Sequence, residues 1–203
     1  MSQVKISGNA SGTGVFTVAS PNSNVDRVLT LPDESGTVDT LQRSGNVLQV
    51  VNVLTTAQGS QSLAAVTDTV VTGLTLSITP KGANSKFLVH ARAFGESNQN
   101  FNNVYNVLMN GVRVNIGGST QSFAGLSMAT ETFGDGVNND STPEILTLST
   151  LVSTSSVVGT PITFALAVTP HANRTLFNNR CIGAPASAYE VGSSELIITE
   201  IGA

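Results

Sequence analysis

Hydrophobic and polar positions alternate with a period of two along most of this chain. Leu74, Leu76 and Ile78 alternate with Thr75, Ser77 and Thr79 before Pro80 stops the run. Strands are likewise predicted over 86–94, 104–109, 112–116, 122–133, 145–152, 162–168 and 195–201, spaced as in a sandwich or barrel. Asn110-Gly111 lies between two of these runs, and both residues accept the positive φ of a tight hairpin turn. Val47 to Leu54 differs in being apolar on both faces, so it is expected inside a sandwich or beneath a neighbouring subunit. No window of a dozen residues carries a 3.6-residue period. The pattern predicts an all-β chain, with a sandwich or barrel over residues 46–203.

Residues 1–45 read differently. Two short β patterns, Val15 to Ala19 and Val28 to Leu31, flank the turn formers Pro21-Asn22-Ser23-Asn24, and Pro32-Asp33-Glu34-Ser35-Gly36 follows. An isolated two-stranded unit is marginal in water, so this extended, β-rich segment is expected to depend on other copies or on a larger assembly. Gln42 to Asn46 is expected as the joint to the head.

Composition narrows the setting. Only 11% of the 203 residues are charged, against about 25% in ordinary soluble domains. Net charge is −4 with no cluster of Lys and Arg, which argues against a nucleic-acid partner. No apolar run approaches the roughly 20 residues of a membrane-spanning helix, so no membrane insertion is expected. The single cysteine, Cys181, cannot form an intrachain disulfide and is expected as a small buried hydrophobe.

Chemistry is sparse. His90 lies mid-strand beside Leu88, Arg92 and Phe94, which suits a packed or interfacial residue better than a base. Asp135, Asp140 and Glu144, or Glu190 and Glu195, could meet as carboxylate pairs, but loop carboxylates are usually just solvated. The loop at 135–140 lacks the spacing of a calcium loop and its distal Glu. No catalytic residue, metal or cofactor is expected. What remains is recognition by polar loops: 95–103 with Asn98, Phe101 and Asn103; the 134–143 region with Asn138; 174–180 with Asn178; and 184–194 with Tyr189. Amides can match sugar hydroxyls and aromatics offer an apolar platform.

Two stretches carry a resemblance. Leu29-Thr30-Leu31-Pro32-Asp33-Glu34-Ser35-Gly36-Thr37 resembles a module of bacteriophage tail-fibre and virion-surface proteins that joins an attachment end to a distal domain. Val47 to Val51, Thr72 to Pro80, Ser85 to Val89 and Ile197 to Ile201 are similar in order to the distal jelly-roll-like domain of phage tail fibres. The resemblance implies a homotrimer located in the virion, with an antiparallel jelly-roll-like β-sandwich head over residues 46–203 and with residues 1–45 holding another virion protein of tail, baseplate or capsid and intertwining around the three-fold axis. It further implies a head that meets a host surface glycan or protein. A capsid decoration protein of the same build is the alternative, and a polysaccharide-degrading enzyme is disfavoured by the missing acid/base pair.

Overall fold

In the computed structural model the described residues are 8, 11–15, 17–19, 22–26, 28, 44–98, 103–116, 123–128, 142–183 and 190–203. The chain divides into two compact units, residues 1–38 and 39–203. The boundary precedes the expected joint because residues 45 and 46 already belong to the head: Gly45 N–H donates to Gly202 O at 3.0 Å, and Gly202 N–H to Asn46 O at 2.9 Å.

In the first unit every described residue is exposed. Residues 15, 17–19 and 28 are not in strands, contrary to the β patterns expected there. A strand needs a partner ladder, and none is supplied to these residues by the single chain. Phe16 and residues 29–38 lie outside the described residues, so most of the phage-like module does too.

The second unit is an antiparallel β-sandwich, and its eleven described strands are β1 (Val47–Thr55), β2 (Gly59–Leu63), β3 (Thr69–Ile78), β4 (Lys86–Ser97), β5 (Asn103–Met109), β6 (Val112–Arg113), β7 (Ser127–Met128), β8 (Glu144–Ser153), β9 (Ile162–Pro170), β10 (Arg174–Asn178) and β11 (Ser194–Ile201). One sheet runs β1-β11-β4-β10-β2 with β8 on the other edge of β4; the second runs β3-β9-β5-β6 with β7 also on β5. Alternate residues of both sheets meet in the core, where Phe87 of β4 and Phe164 of β9 pack with ring centroids 5.6 Å apart. Asn110 and Gly111 have φ of 50° and 82°, as the hairpin reading required. Cys181 is fully buried. Of the expected strand at 122–133, only Ser127–Met128 is a described strand.

The first sheet forks. β4 pairs with β11 over its first half (Lys86↔Ile201 to Arg92↔Glu195) and with β10 over its last residues (Gly95↔Asn178 to Ser97↔Leu176). β1 follows β11 and β2 follows β10, so the margin of the sheet is a ribbon that changes partner at 56–58. Asn179 pins the fork in a left-handed conformation (φ 58°). Its Nδ2 donates to Ala57 O at 2.9 Å, and its Oδ1 accepts from Ser194 Oγ at 2.6 Å.

β1 is therefore a marginal strand, not the interior one its two apolar faces suggested. An irregularity between Val47 and Gln49 shifts the alternation. Val51 and Val53 pack against the core, whereas Val47, Val50 and Leu54 are exposed. They join a wider apolar face. Cross-strand register places Leu151, Leu88, Thr199 and Val50 in one row, and Ser149, His90, Ile197 and Asn52 in the next. The outer face of the second sheet is instead closed, with Asn106, Ala165, Ala167 and Thr169 all buried.

Candidate functional site

Strand direction sorts the loops of the head between two ends. At one end residues 44–46 lead into β1, beside the C-terminus and the 79–85 and 154–161 connections. At the other lie 64–68, Asn98, 171–173 and the start of β8. The twelve residues of β4 span this length, about 40 Å at roughly 3.3 Å per residue.

The end where the chain leads in is locked by a buried carboxylate. Glu200 Oε1 and Oε2 accept from Lys81 N–H, Gly82 N–H, Ser85 Oγ and Gln49 Nε2 at 2.5–3.1 Å. Burial pushes this carboxyl up, but the bonds from Gly82, Ser85, Gln49 and Lys81 outweigh it and hold it below its ordinary value. A second network fixes the outer face of the other sheet. Arg113 Nε and Nη2 grip Asp68 at 2.7 and 2.8 Å, and the Thr169 hydroxyl donates to the same carboxylate. Burial raises the Asp68 carboxyl, but Arg113, Thr169 and Asn106 together draw it down.

The far end is open. A groove of about 480 Å³ runs between the end of β2 (Ser62, Leu63, Ala64), the start of β10 (Asn173, Arg174, Thr175) and Asn98 after β4. This volume is within the range of small-ligand sites, about 300–1,000 Å³. Backbone ladders build its walls: Arg174 pairs with Leu63, and Asn98 N–H donates to Thr175 O at 3.1 Å. Asn98 Oδ1 returns the contact by accepting from Thr175 N–H at 3.0 Å, and Asn173 Oδ1 accepts from Ala65 N–H at 2.9 Å. In the adjoining loop Val66 adopts φ 52°, a costly conformation for a β-branched residue, while its N–H donates to Pro170 O at 2.8 Å. Such strain concentrates at binding sites.

A smaller cavity, about 20 Å³, lies inside the same end among Ser97, Tyr105, Glu144 and Asn178. It has room for about one water. Burial, then the charge of Glu144, push the Tyr105 phenol well above its ordinary value, so it remains a hydroxyl in this cavity.

Of the residues expected to meet a receptor, Asn98 lies in the groove. Asn103 and Asn178 do not face solvent. Asn103 opens β5 opposite Pro170 and is 1% exposed. Asn178 closes β10 and donates to Gln61 Oε1 at 3.0 Å. Gln61 in turn binds Val70 O and Thr72 N–H, patching β3 where its register shifts between Val70 and Thr75. Asn178 thus orients a sheet repair. The loop reading failed there because 95–97 and 174–178 are strands that pair with each other. Phe101, Asn138 and Tyr189 lie outside the described residues.

Asn173 and Ser62 were missed, and Arg174 and Thr175 lay within the expected 174–180 loop without being singled out. Arg174 bounded an amide-rich stretch, but only the pairing of β2 with β10 shows that Ser62 shares its wall. Among the described residues no three His, Cys, Asp or Glu side chains meet in a metal-like cluster. No family model matches the chain, and no curated protein matches it either.

Proposed function

We propose that this chain is a structural protein of a phage virion, a short trimeric tail fibre that attaches to the host surface without catalysis. The placement of the groove carries this reading. Residues 44–46 lead into the head at one end of β4, and the groove opens at the other, about 40 Å away. A head tethered through its N-terminal unit would present the groove outward. The resemblance of 29–37 and of the strand order to phage fibre proteins supports the same reading. Val15, Val18, Val25 and Val28 are each at least 67% exposed, which suits a segment that docks on another virion protein. Weak contacts at one groove would be multiplied by three copies per fibre and by several fibres per particle.

Capsid decoration is the second reading, and one observation favours it: the described groove walls hold no aromatic side chain for sugar stacking. Two measurements separate the readings. Purified full-length protein should compete with particles for adsorption to host cells, and protein lacking residues 1–38 should compete equally while failing to join particles. Absence of competition, together with loss of heat resistance in particles that lack the protein, would establish decoration instead.

A further inference from the structure

Most polar groups of the head serve the head itself. Glu200 sits within its ring of donors, Asp68 on Arg113, and Glu96 accepts from the Thr142 hydroxyl at 2.6 Å and from Ile182 N–H at 2.7 Å. Arg174 is different. A guanidinium carries five N–H donors, and the bond found for this one runs from Nη1 to its neighbour's carbonyl, Asn173 O, at 3.3 Å. Its Nε is shut off from solvent and meets no acceptor among the described residues, and none of the described groove residues is a carboxylate.

The amides beside it are committed in one direction. A backbone N–H can only donate, so the atoms facing Thr175 N–H and Ala65 N–H are the oxygens of Asn98 and Asn173. What each leaves over is its Nδ2, a donor. Among its described side chains the groove therefore offers a cation and two amide N–H₂ groups, offset in part by the Ser62 and Thr175 hydroxyls and the remaining lone pairs of the amide oxygens. A neutral sugar, whose hydroxyls both donate and accept, uses such a wall poorly. A ligand rich in acceptors uses it fully.

We propose that this groove binds an anionic saccharide, with its oxyanion on the Arg174 guanidinium and neighbouring ring or hydroxyl oxygens on Asn98 and Asn173. The inference rests on the attachment reading above and gives it a ligand class. A guanidinium fork matches carboxylate and phosphate alike, so the shared chemistry is an oxyanion on a hydroxylated ring.

The test uses the full-length protein and three immobilised probes: an oligosaccharide of glucuronic acid, a glucose-phosphate polymer and a neutral glucan of similar length. At least one acidic probe should bind tenfold or more tightly than the neutral one, and the uronate and phosphate arms identify the source of the charge. Arg174→Gln should lose about tenfold on the acidic probe, while Lys81→Gln, an exposed cation at the opposite end of the head, should lose nothing. Asn98→Asp is the second variant. It keeps the oxygen that accepts from Thr175 N–H, so the loop is preserved, and it places a negative charge where the ligand's would lie. It should abolish acidic binding at an unchanged melting temperature.

Equal binding of neutral and acidic probes, or an Arg174→Gln protein that binds as wild type, would overturn the proposal. Failure of the broader reading looks different. Acidic binding without competition for cells would retain the groove and remove the adhesin; competition that survives both substitutions would retain the adhesin and remove the groove.

Discussion

Glu200 has no solvent exposure, a position an ionised carboxylate occupies only when donors replace its lost water. Lys81 and Gly82 N–H, the Ser85 hydroxyl and the Gln49 amide do this, and together they tie the β3–β4 connection to β1 and β11. Gly82 belongs to the arrangement, since a side chain there would meet Leu48 Cδ1 and Ser85 Oγ at 2.8 Å. Replacing Glu200 by Gln should lower unfolding stability by roughly 3 kcal/mol in denaturant titrations, because an amide nitrogen would face donors and leave them unsatisfied. The pH dependence has a definite sign. The folded carboxyl titrates below its ordinary value of 4.5, so its contribution is complete above that pH and disappears as the pH falls through the lower folded value. Asp68 is shifted the same way. Wild-type protein should therefore lose stability on acidification below about pH 4.5, and Glu200→Gln should show a shallower loss.

At the scale of elements, β4 organises the head because it is long enough to hold two partners along one edge. Gly95 makes the pairing with β10 possible: any Cβ there would collide with the Phe177 carbonyl oxygen of β10. Gly95→Ala should cost at least about 2 kcal/mol and expose the 174–178 amides to hydrogen exchange ahead of those of β11, a pattern a uniformly weakened head would not give. The sequence made β4 legible up to Phe94 through its apolar alternation. It did not reveal that Glu96 and Ser97 continue the strand, because buried polar residues interrupt the pattern while being satisfied by partners far along the chain. β2 was invisible for a related reason. Gly59-Ser60-Gln61-Ser62 has no apolar alternation, and its place is set by pairing with β10 and by the reach of Gln61 to β3. The groove could not be read because its walls come from segments 77 to 113 residues apart in their register partners and side-chain contacts, and alternation reports faces without pairings.

At the scale of the molecule, the two sheets differ in how they meet solvent. The outer side of the β1-β11-β4-β8 sheet carries Val47, Val50, Leu54, Leu88, Ile145 and Leu151, all exposed. Four strands at roughly 4.8 Å spacing and rows over about 27 Å give a face near 500 Å². Covering it would remove a similar area from a neighbour, together approaching the roughly 1,000 Å² at which specific interfaces begin, so a different surface of the next copy around the three-fold axis is its proposed cover. Light scattering should give three times the 20.9 kDa chain mass, and Leu88→Glu with Leu151→Glu should reduce it to a single chain without loss of β structure. A trimer that persists in the double variant would move the interface elsewhere; a wild-type monomer would end the trimer proposal.

The fork and the opposite placement of tether and groove have a mechanical consequence. A host bound at Arg174 and a particle bound through residue 46 would pull on two antiparallel runs from opposite ends, since β1–β2 begins at the end where residues 44–46 lead in and β10 begins at the groove end. Such tension is directed along the strands, so the rungs between β1 and β11 and between β2 and β10 strain together instead of opening in turn. Residue 46 and Ala203 lie side by side at the same end, and pulling them apart would peel β1 from β11 rung by rung. Force spectroscopy with handles at residues 46 and 174 should therefore give markedly higher rupture forces than handles at 46 and 203. The strand arrangement would resist drag on an attached particle while remaining easy to dismantle from its ends.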